Sequence, residues 1–460
     1  MISSACPSRR LPFVTAVVAG FLFSGFGVLS ATAQLVSADW NYAINGPDRN
    51  NPQGSVVITK YVGPGGAAVV PEVIDGKPVR VVGSGGSAYL DSPGAKLTSV
   101  IIPASVRSIG DRAFWNSSNL SSVTIVEGVQ TIGFAAFAYT GSLTNIVLPD
   151  SVKTLNGYAF YLATNLTGAT LGAGLTSMGG TTGADFSNCR KLREIVIPNG
   201  VTSIPKLTFD SCTSLANVVL PTGLTNIGLA AFARCEQLLS IAIPDSVKQI
   251  EQEAFARCLK ITNVTFGLGL TNLGREAFAF CDSLTAVTVR GNITTIPESL
   301  FDMGGGDTNN PPKLSSVVLP STVTSVGDYA FADAPRLGVV LFLGAPPTLA
   351  GANRDLYGTN QSVVTYYLPG AAGWGSSFAG RATAPFGPHS TGAQKTEAAF
   401  SFSWSGPGQM PWPAEVPVGV DRRTSLNSQA WQRIAFPVTN GFFIDPATPE
   451  QAAFYRAIYP

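Results

Sequence analysis

Large apolar residues return along this chain at an interval far longer than a helical turn or a strand alternation. Phenylalanine stands at Phe114, Phe137, Phe160, Phe186, Phe209, Phe232, Phe255, Phe278, Phe301 and Phe331. The step is about 23 residues, in the range of repeat arrays, and it lengthens only before Phe186 and Phe331. A second series lies six residues beyond most of these, including Leu120, Leu143, Leu192, Leu215, Leu238, Ile261 and Leu284. Pro103, Pro149, Pro198, Pro221, Pro244 and Pro320 keep the same phase. Within a unit, Leu215-Ala216-Asn217-Val218-Val219-Leu220 alternates like a short strand and ends at Pro221, which has no N–H for a ladder. Ile227-Gly228 marks a second short extended piece, and Ala231-Phe232 leaves room for one helical or 3-10 turn. A unit this short cannot close its own core, so the pattern predicts stacked coils. Each large apolar side chain buried between coils contributes about 1.5–3 kcal/mol.

The unit reads L-T-x-V-x-I-P-x-x-V-T-x-I-G-x-x-A-F-x-x-C in outline, and LTSVIIPASVRSIGDRAF at residues 97–114 follows it nearly throughout. This motif resembles the BspA-like group of leucine-rich repeat proteins over about residues 55–345. The resemblance implies an α/β leucine-rich-repeat solenoid, a curved stack with a parallel β-sheet and short helical or 3-10 turns, on an exported or surface protein. Adhesion and protein interaction are known for some members, while most have no assigned partner. The longer units at 160–186 and 301–331, the second carrying Gly304-Gly305-Gly306-Asp307, must bulge as loops and disturb any uniform curvature.

Cys189, Cys212, Cys235, Cys258 and Cys281 share one position of successive units, where other units carry Ser117, Thr140, Ala163, Gly304 and Ala334. The position asks for a small side chain, which cysteine supplies as a small hydrophobe. Parallel side chains about 4.8 Å apart fit a disulfide poorly, and an odd number of thiols leaves one over. A line of thiols without a histidine partner is also a poor zinc site.

Charged residues make up only 12% of the chain and hydrophobic ones 45%, so the chain must bury surface. Lys plus Arg number 29 against 28 Asp plus Glu, with no basic stripe, which argues against nucleic acid as a partner. Arg9-Arg10, an apolar run from Leu11 to Leu29, and Ala31-Thr32-Ala33 read as an export signal over residues 1–33, with an uncleaved anchor as the alternative. No later stretch is apolar enough to span a bilayer once that signal is removed. The expected location is therefore secreted, cell-surface or periplasmic.

His389 is the only histidine, in a Pro/Gly/Ser-rich stretch, and neither a nucleophile–base arrangement, a phosphate loop nor HExxH occurs. The sequence thus predicts no catalytic residue, cofactor or metal ligand, and Gly63-Pro64-Gly65-Gly66 and Gly83-Ser84-Gly85-Gly86 read as turns. The outward face of the longer strand carries a Val/Thr strip bordered by Ser and Asn. Its candidate binding residues are Thr124, Val147, Thr170, Glu194, Val196, Asn217, Val219, Thr265 and Thr288. Good β-propensity alone also accounts for such a strip. As a ligand surface it suits an extended peptide or a glycan better than a charged substrate.

Residues 34–96 are expected to hold an N-terminal cap and first coil, and 97–345 the repeats. A C-terminal cap at 346–382 rests on Tyr366-Tyr367-Leu368-Pro369-Gly370 and Trp374. A linker at 383–396 then leads to a small β-rich module at 397–460, with Trp404, Trp412 and Trp431 and no LPxTG-like signal. Three functions stay open. The first is a scaffold binding an extracellular protein or glycan, including adhesion. The others are a structural envelope component without a specific ligand and a polysaccharide-active enzyme with dispersed carboxylates.

Overall fold

The structure, a computed structural model, describes residues 37–47, 52–83, 89–91, 96–304, 311–351, 355–368 and 370–386, and beyond these the backbone alone of six strands between 389 and 458. The expected export signal, residues 84–86 of the second glycine turn and residues 305–307 of the long loop lie outside the described residues.

Each coil has three sides. Side 1 is the longer strand, for example Asn145–Val147, Glu194–Val196 or Ser240–Ala242. Side 2 is a two-residue strand such as Ser203–Ile204 or Asn226–Ile227. Pairing is parallel and moves one coil per step, with Ile204 opposite Ile227, Ile227 opposite Ile250, and Ile250 opposite Leu273. Threonines reinforce the stack: Thr225 Oγ1 donates to the Thr202 carbonyl and Thr271 Oγ1 to the Lys248 carbonyl, both at 2.9 Å. That bond between equivalent positions explains why Thr recurs before the strands.

Side 3 departs from the sequence expectation. Its residues form no helical or 3-10 turn; the one helix among the described residues is the 3-10 segment Ser37–Asp39. The α/β assignment is accordingly corrected to a β-solenoid of stacked parallel strands with almost no helix. Hydrogen bonding explains the difference. In the coil of Phe232, the N–H groups of Ala230, Phe232 and Arg234 donate to carbonyls of Gln252, Ala254 and Ala256 in the next coil, at 2.8–2.9 Å. The intervening Ala231, Ala233 and Cys235 close local turns onto Gly228, Ala230 and Phe232. A helix would turn every donor inward and leave the neighbouring coil unpaired. Sharing donors requires left-handed residues, among them Ala230 and Arg234, both at positive φ.

Phenylalanine from every coil stacks on the next inside this frame. Ring centroids lie 5.1–5.5 Å apart from Phe114 to Phe278, in near-parallel planes. Tyr357 extends the column beyond Phe331, and its buried hydroxyl lies 2.8 Å from Thr365 Oγ1. Burial pushes that phenol up to about 12.

The five repeat cysteines are free and fully buried. Each does more than fill space, because its thiol donates to a phenylalanine carbonyl of the preceding coil: Cys212 to Phe186 at 3.1 Å and Cys235 to Phe209 at 3.3 Å. Burial raises all five thiols, Cys258 to about 12. None of the five is therefore expected to react with a thiol-specific dye in the folded protein near neutral pH, since the thiolate is the nucleophile. All five should react in denaturant. Mass spectrometry of dye adducts checks this, and rapid native labelling would contradict it.

The stack is closed at its N-terminal end by an antiparallel pair, Trp40–Asn45 with Ser55–Tyr61, whose second strand opens the side 2 ladder against Lys77–Val82. At the other end, Val364–Tyr367 and Arg381–Pro385 continue side 1, and Trp374 stacks on Tyr367 at 5.2 Å. Regular pairing thus enters the stretch read as a linker: Arg381–Pro385 belongs to the stack, and His389–Lys395 pairs with Phe400–Ser405. The six terminal strands form two three-stranded sheets.

Candidate functional site

Side 1 points its Ile and Val residues inward and alternate residues outward. Thr124, Val147, Thr170, Glu194, Val196, Asn217, Val219 and Thr265 are all exposed, whereas Thr288 is only half-buried and Val318, next in register, is buried. The strip therefore ends at Thr288. Val147, Val196 and Val219 each keep more than half of their surface open, at 60%, 61% and 55%. Val196 and Val219 are neighbours in the ladder and form a short apolar band that a partner could cover, while Val147 stands on the far side of Thr170.

The strip is not uniform. Between Asn145 and Asn217 lies a groove of about 790 Å³, lined among others by Asn145, Thr170, Arg193, Glu194, Asn217 and Gln237. Its cause is local. The coil of Phe160 carries Gly168-Ala169-Thr170 where the coil of Phe186 carries Glu194-Ile195-Val196. Gly168 presents no side chain on the outward row, and a Cβ there would come within 2.8 Å of Asn145 Oδ1. The side 1 ladder is interrupted on one flank of this coil, as it also is after Ile125, Val219 and Thr265: Gly168–Thr170 pairs with Asn145–Val147, while Glu194–Val196 pairs onward with Asn217–Val219. What sets this coil apart is the missing bulk at Gly168 and Ala169, which makes the depression.

Of the residues picked out from the sequence, the groove gathers Thr170, Glu194 and Asn217. Val147, Val196 and Val219 lie on the same or adjacent coils, and Thr124, Thr265 and Thr288 stand farther along the strip. Arg193, Ser214 and Gln237 were missed because they precede the strands and join the surface only through the groove. Aligning the units shows the signal that was available: Gly168 and Ala169 are the smallest pair at their two positions. The lining offers amide and hydroxyl groups with one cation and one anion, which can bond an extended polar backbone. Among the described residues there is no group of three or more His, Cys, Asp or Glu placed to hold a metal ion. The side chain of His389 is outside those described.

A family model described as BspA type leucine rich repeat region matches residues 92–182, 182–304 and 308–342, in six copies covering more than half of the 460 residues. The chain belongs to this family. The BspA type repeats include the whole groove and the strip from Thr124 to Thr288. Solved structures similar to this chain include a leucine-rich repeat protein from Bacteroides ovatus, at 21% identity and a TM-score of 0.49, covering 71% of this chain and 92% of that one. A leucine rich cell surface protein from Faecalibacterium prausnitzii has 23% identity and a TM-score of 0.36, with 70% and 94% covered. The pneumococcal vaccine antigen PcpA has 16% identity and a TM-score of 0.46, with 72% and 92% covered. A search of curated proteins finds no match. No helix among the described residues is long and apolar enough to cross a membrane.

Proposed function

We propose that this BspA type repeat protein is a non-enzymatic scaffold outside the cytoplasm that binds an extracellular protein or glycan, as an adhesive contact, through the side 1 groove. The observation that carries this reading is the groove itself, where a regular stack loses bulk at Gly168-Ala169-Thr170 and exposes amides, hydroxyls and the Arg193 and Glu194 charges beside an apolar band. A rigid array presenting adaptable polar groups next to apolar surface is the usual composition of a recognition site. Export rests on the N-terminal sequence, with its paired arginines, apolar run and Ala31-Thr32-Ala33. The non-enzymatic reading rests on the groove's chemistry, in which Glu194 has no second carboxylate beside it to divide acid and base roles.

A panel of purified extracellular matrix proteins and soluble glycans, probed with the full chain and with Thr170→Arg, tests this. Thr170 is exposed, so the substitution should leave the melting temperature unchanged while weakening the interaction at least tenfold. Unaltered affinity in the variant would move recognition off the groove. Absence of saturable binding across the panel would favour a purely structural role, and glycan cleavage lost on Glu194→Gln would make the protein an enzyme.

A further inference from the structure

Apart from the buried Phe114–Tyr357 column, six rings that are not fully buried gather on the outside of side 3 in the first coils. They form one connected row. Tyr89 stacks on Trp115 at 4.5 Å, Trp115 meets Tyr139 edge-on at 5.5 Å, and Tyr139 meets Tyr161 at 5.5 Å. From Tyr161 the row turns through Tyr158 at 5.2 Å to Phe134 at 5.6 Å. Five of the six are partly exposed, and Tyr139 is the most open at 39%. Core packing does not ask for them: the coil of Phe232 has Ala233 where that of Phe114 has Trp115, and the coil of Phe186 has Asn188 where that of Phe137 has Tyr139. Tyr139 and Tyr158 also occupy left-handed positions, both at positive φ, which asparagine or glycine tolerates better than a bulky ring.

We infer that this row is a carbohydrate-binding platform for a linear, neutral glycan, separate from the side 1 groove and not resting on it. Three features select that chemistry. The row is periodic, advancing one ring per coil from Tyr89 through Trp115 and Tyr139 to Tyr161, so successive rings can each meet a successive sugar of a polymer. Exposed ring faces pack against the C–H faces of pyranoses, while phenol groups at the ring edges bond sugar hydroxyls. The hydroxyls of Tyr139, Tyr158 and Tyr161 make no hydrogen bond to another described residue, which leaves them available. Charge is sparse, since among the described residues the one cation stacked over a ring of this row is Arg112, over Phe134 at 5.3 Å. Stacked nucleic-acid bases would need a basic track for their phosphates, and a single arginine does not supply one.

Affinity electrophoresis of the full chain through gels containing xylan, galactomannan, hydroxyethylcellulose or laminarin tests the inference. At least one of these neutral polysaccharides should retard the protein. Trp115→Ala and Tyr139→Asn adopt residues that later coils carry at the same places, so both should fold, as circular dichroism and the melting temperature would show. Each should weaken retardation about tenfold or more, and the pair should abolish it. Thr170→Arg in the groove should retain it. No retardation in any gel, retention of full binding by the folded double variant, or capture of a proline-rich peptide in place of every polysaccharide would overturn the assignment.

Discussion

Phe232→Ala is expected to destabilise the protein by about 3–5 kcal/mol, the usual cost of removing a buried aromatic ring and leaving a cavity. Phe232 is fully buried and stacks at 5.2 Å on Phe209 below and Phe255 above. In a stack of coils, stability is divided between the units and the interfaces joining them. One ring serves two interfaces, so its removal weakens both. Cys235 and Cys258 would feel the loss as well, because they donate to the carbonyls of Phe209 and Phe232. Denaturant unfolding followed by circular dichroism measures the loss, and hydrogen exchange should show faster opening between residues 209 and 255. A change below about 1 kcal/mol would fall outside the cavity costs known for buried phenylalanine and would mean that the coils do not depend on one another.

Asp185→Ala, by contrast, is expected to stabilise the protein at neutral pH by about 1–3 kcal/mol, the cost of leaving buried polar atoms unsatisfied. Asp185 is fully buried next to Phe186, at a position held by Ala136, Ala159 and Ala231 in other coils. Neither carboxylate oxygen closes a hydrogen bond of normal geometry. Burial therefore drives the acid well above its usual range, opposed weakly by the backbone at Gly179 and Ala159. The sign of the pH dependence follows. An acid raised on folding binds its proton more tightly in the native state, so its contribution is fully present below the unfolded value of about 3.9. It is lost as pH rises through the folded value. Asp185→Asn should remove this dependence, so the variant gains on the wild type as pH climbs from acid to neutral. Melting temperatures of the three proteins across that range decide it. Parallel curves for wild type and Asp185→Asn would show that the carboxyl does not titrate with folding.

What the sequence made legible divides along physical lines. The Phe, Leu and Cys series could be read directly because each coil repeats the same demand, for a ring, an aliphatic anchor or a small side chain; that the cysteines also donate to the preceding coil could not. Side 3 could not, since Ala231-Phe232 and its neighbours look locally like a helical turn. Only the need to pair with the next coil makes Ala230 and Arg234 left-handed. The groove arises from what Gly168 and Ala169 lack, and an absence of bulk has no motif. The aromatic row was hidden for another reason: Trp115 and Tyr139 occupy different positions of their own units, and only the folded stack makes them neighbours.

The most direct test of the central claim, that recognition belongs to the repeat array, is hydrogen-exchange footprinting of the full chain bound to the tightest ligand of the panel. The account predicts protection on side 1 between residues 145 and 237, or between 89 and 161 when the ligand is a neutral polysaccharide. Protection confined to residues 397–460, with the repeats exchanging as in the free protein, would contradict it and assign binding to the terminal module.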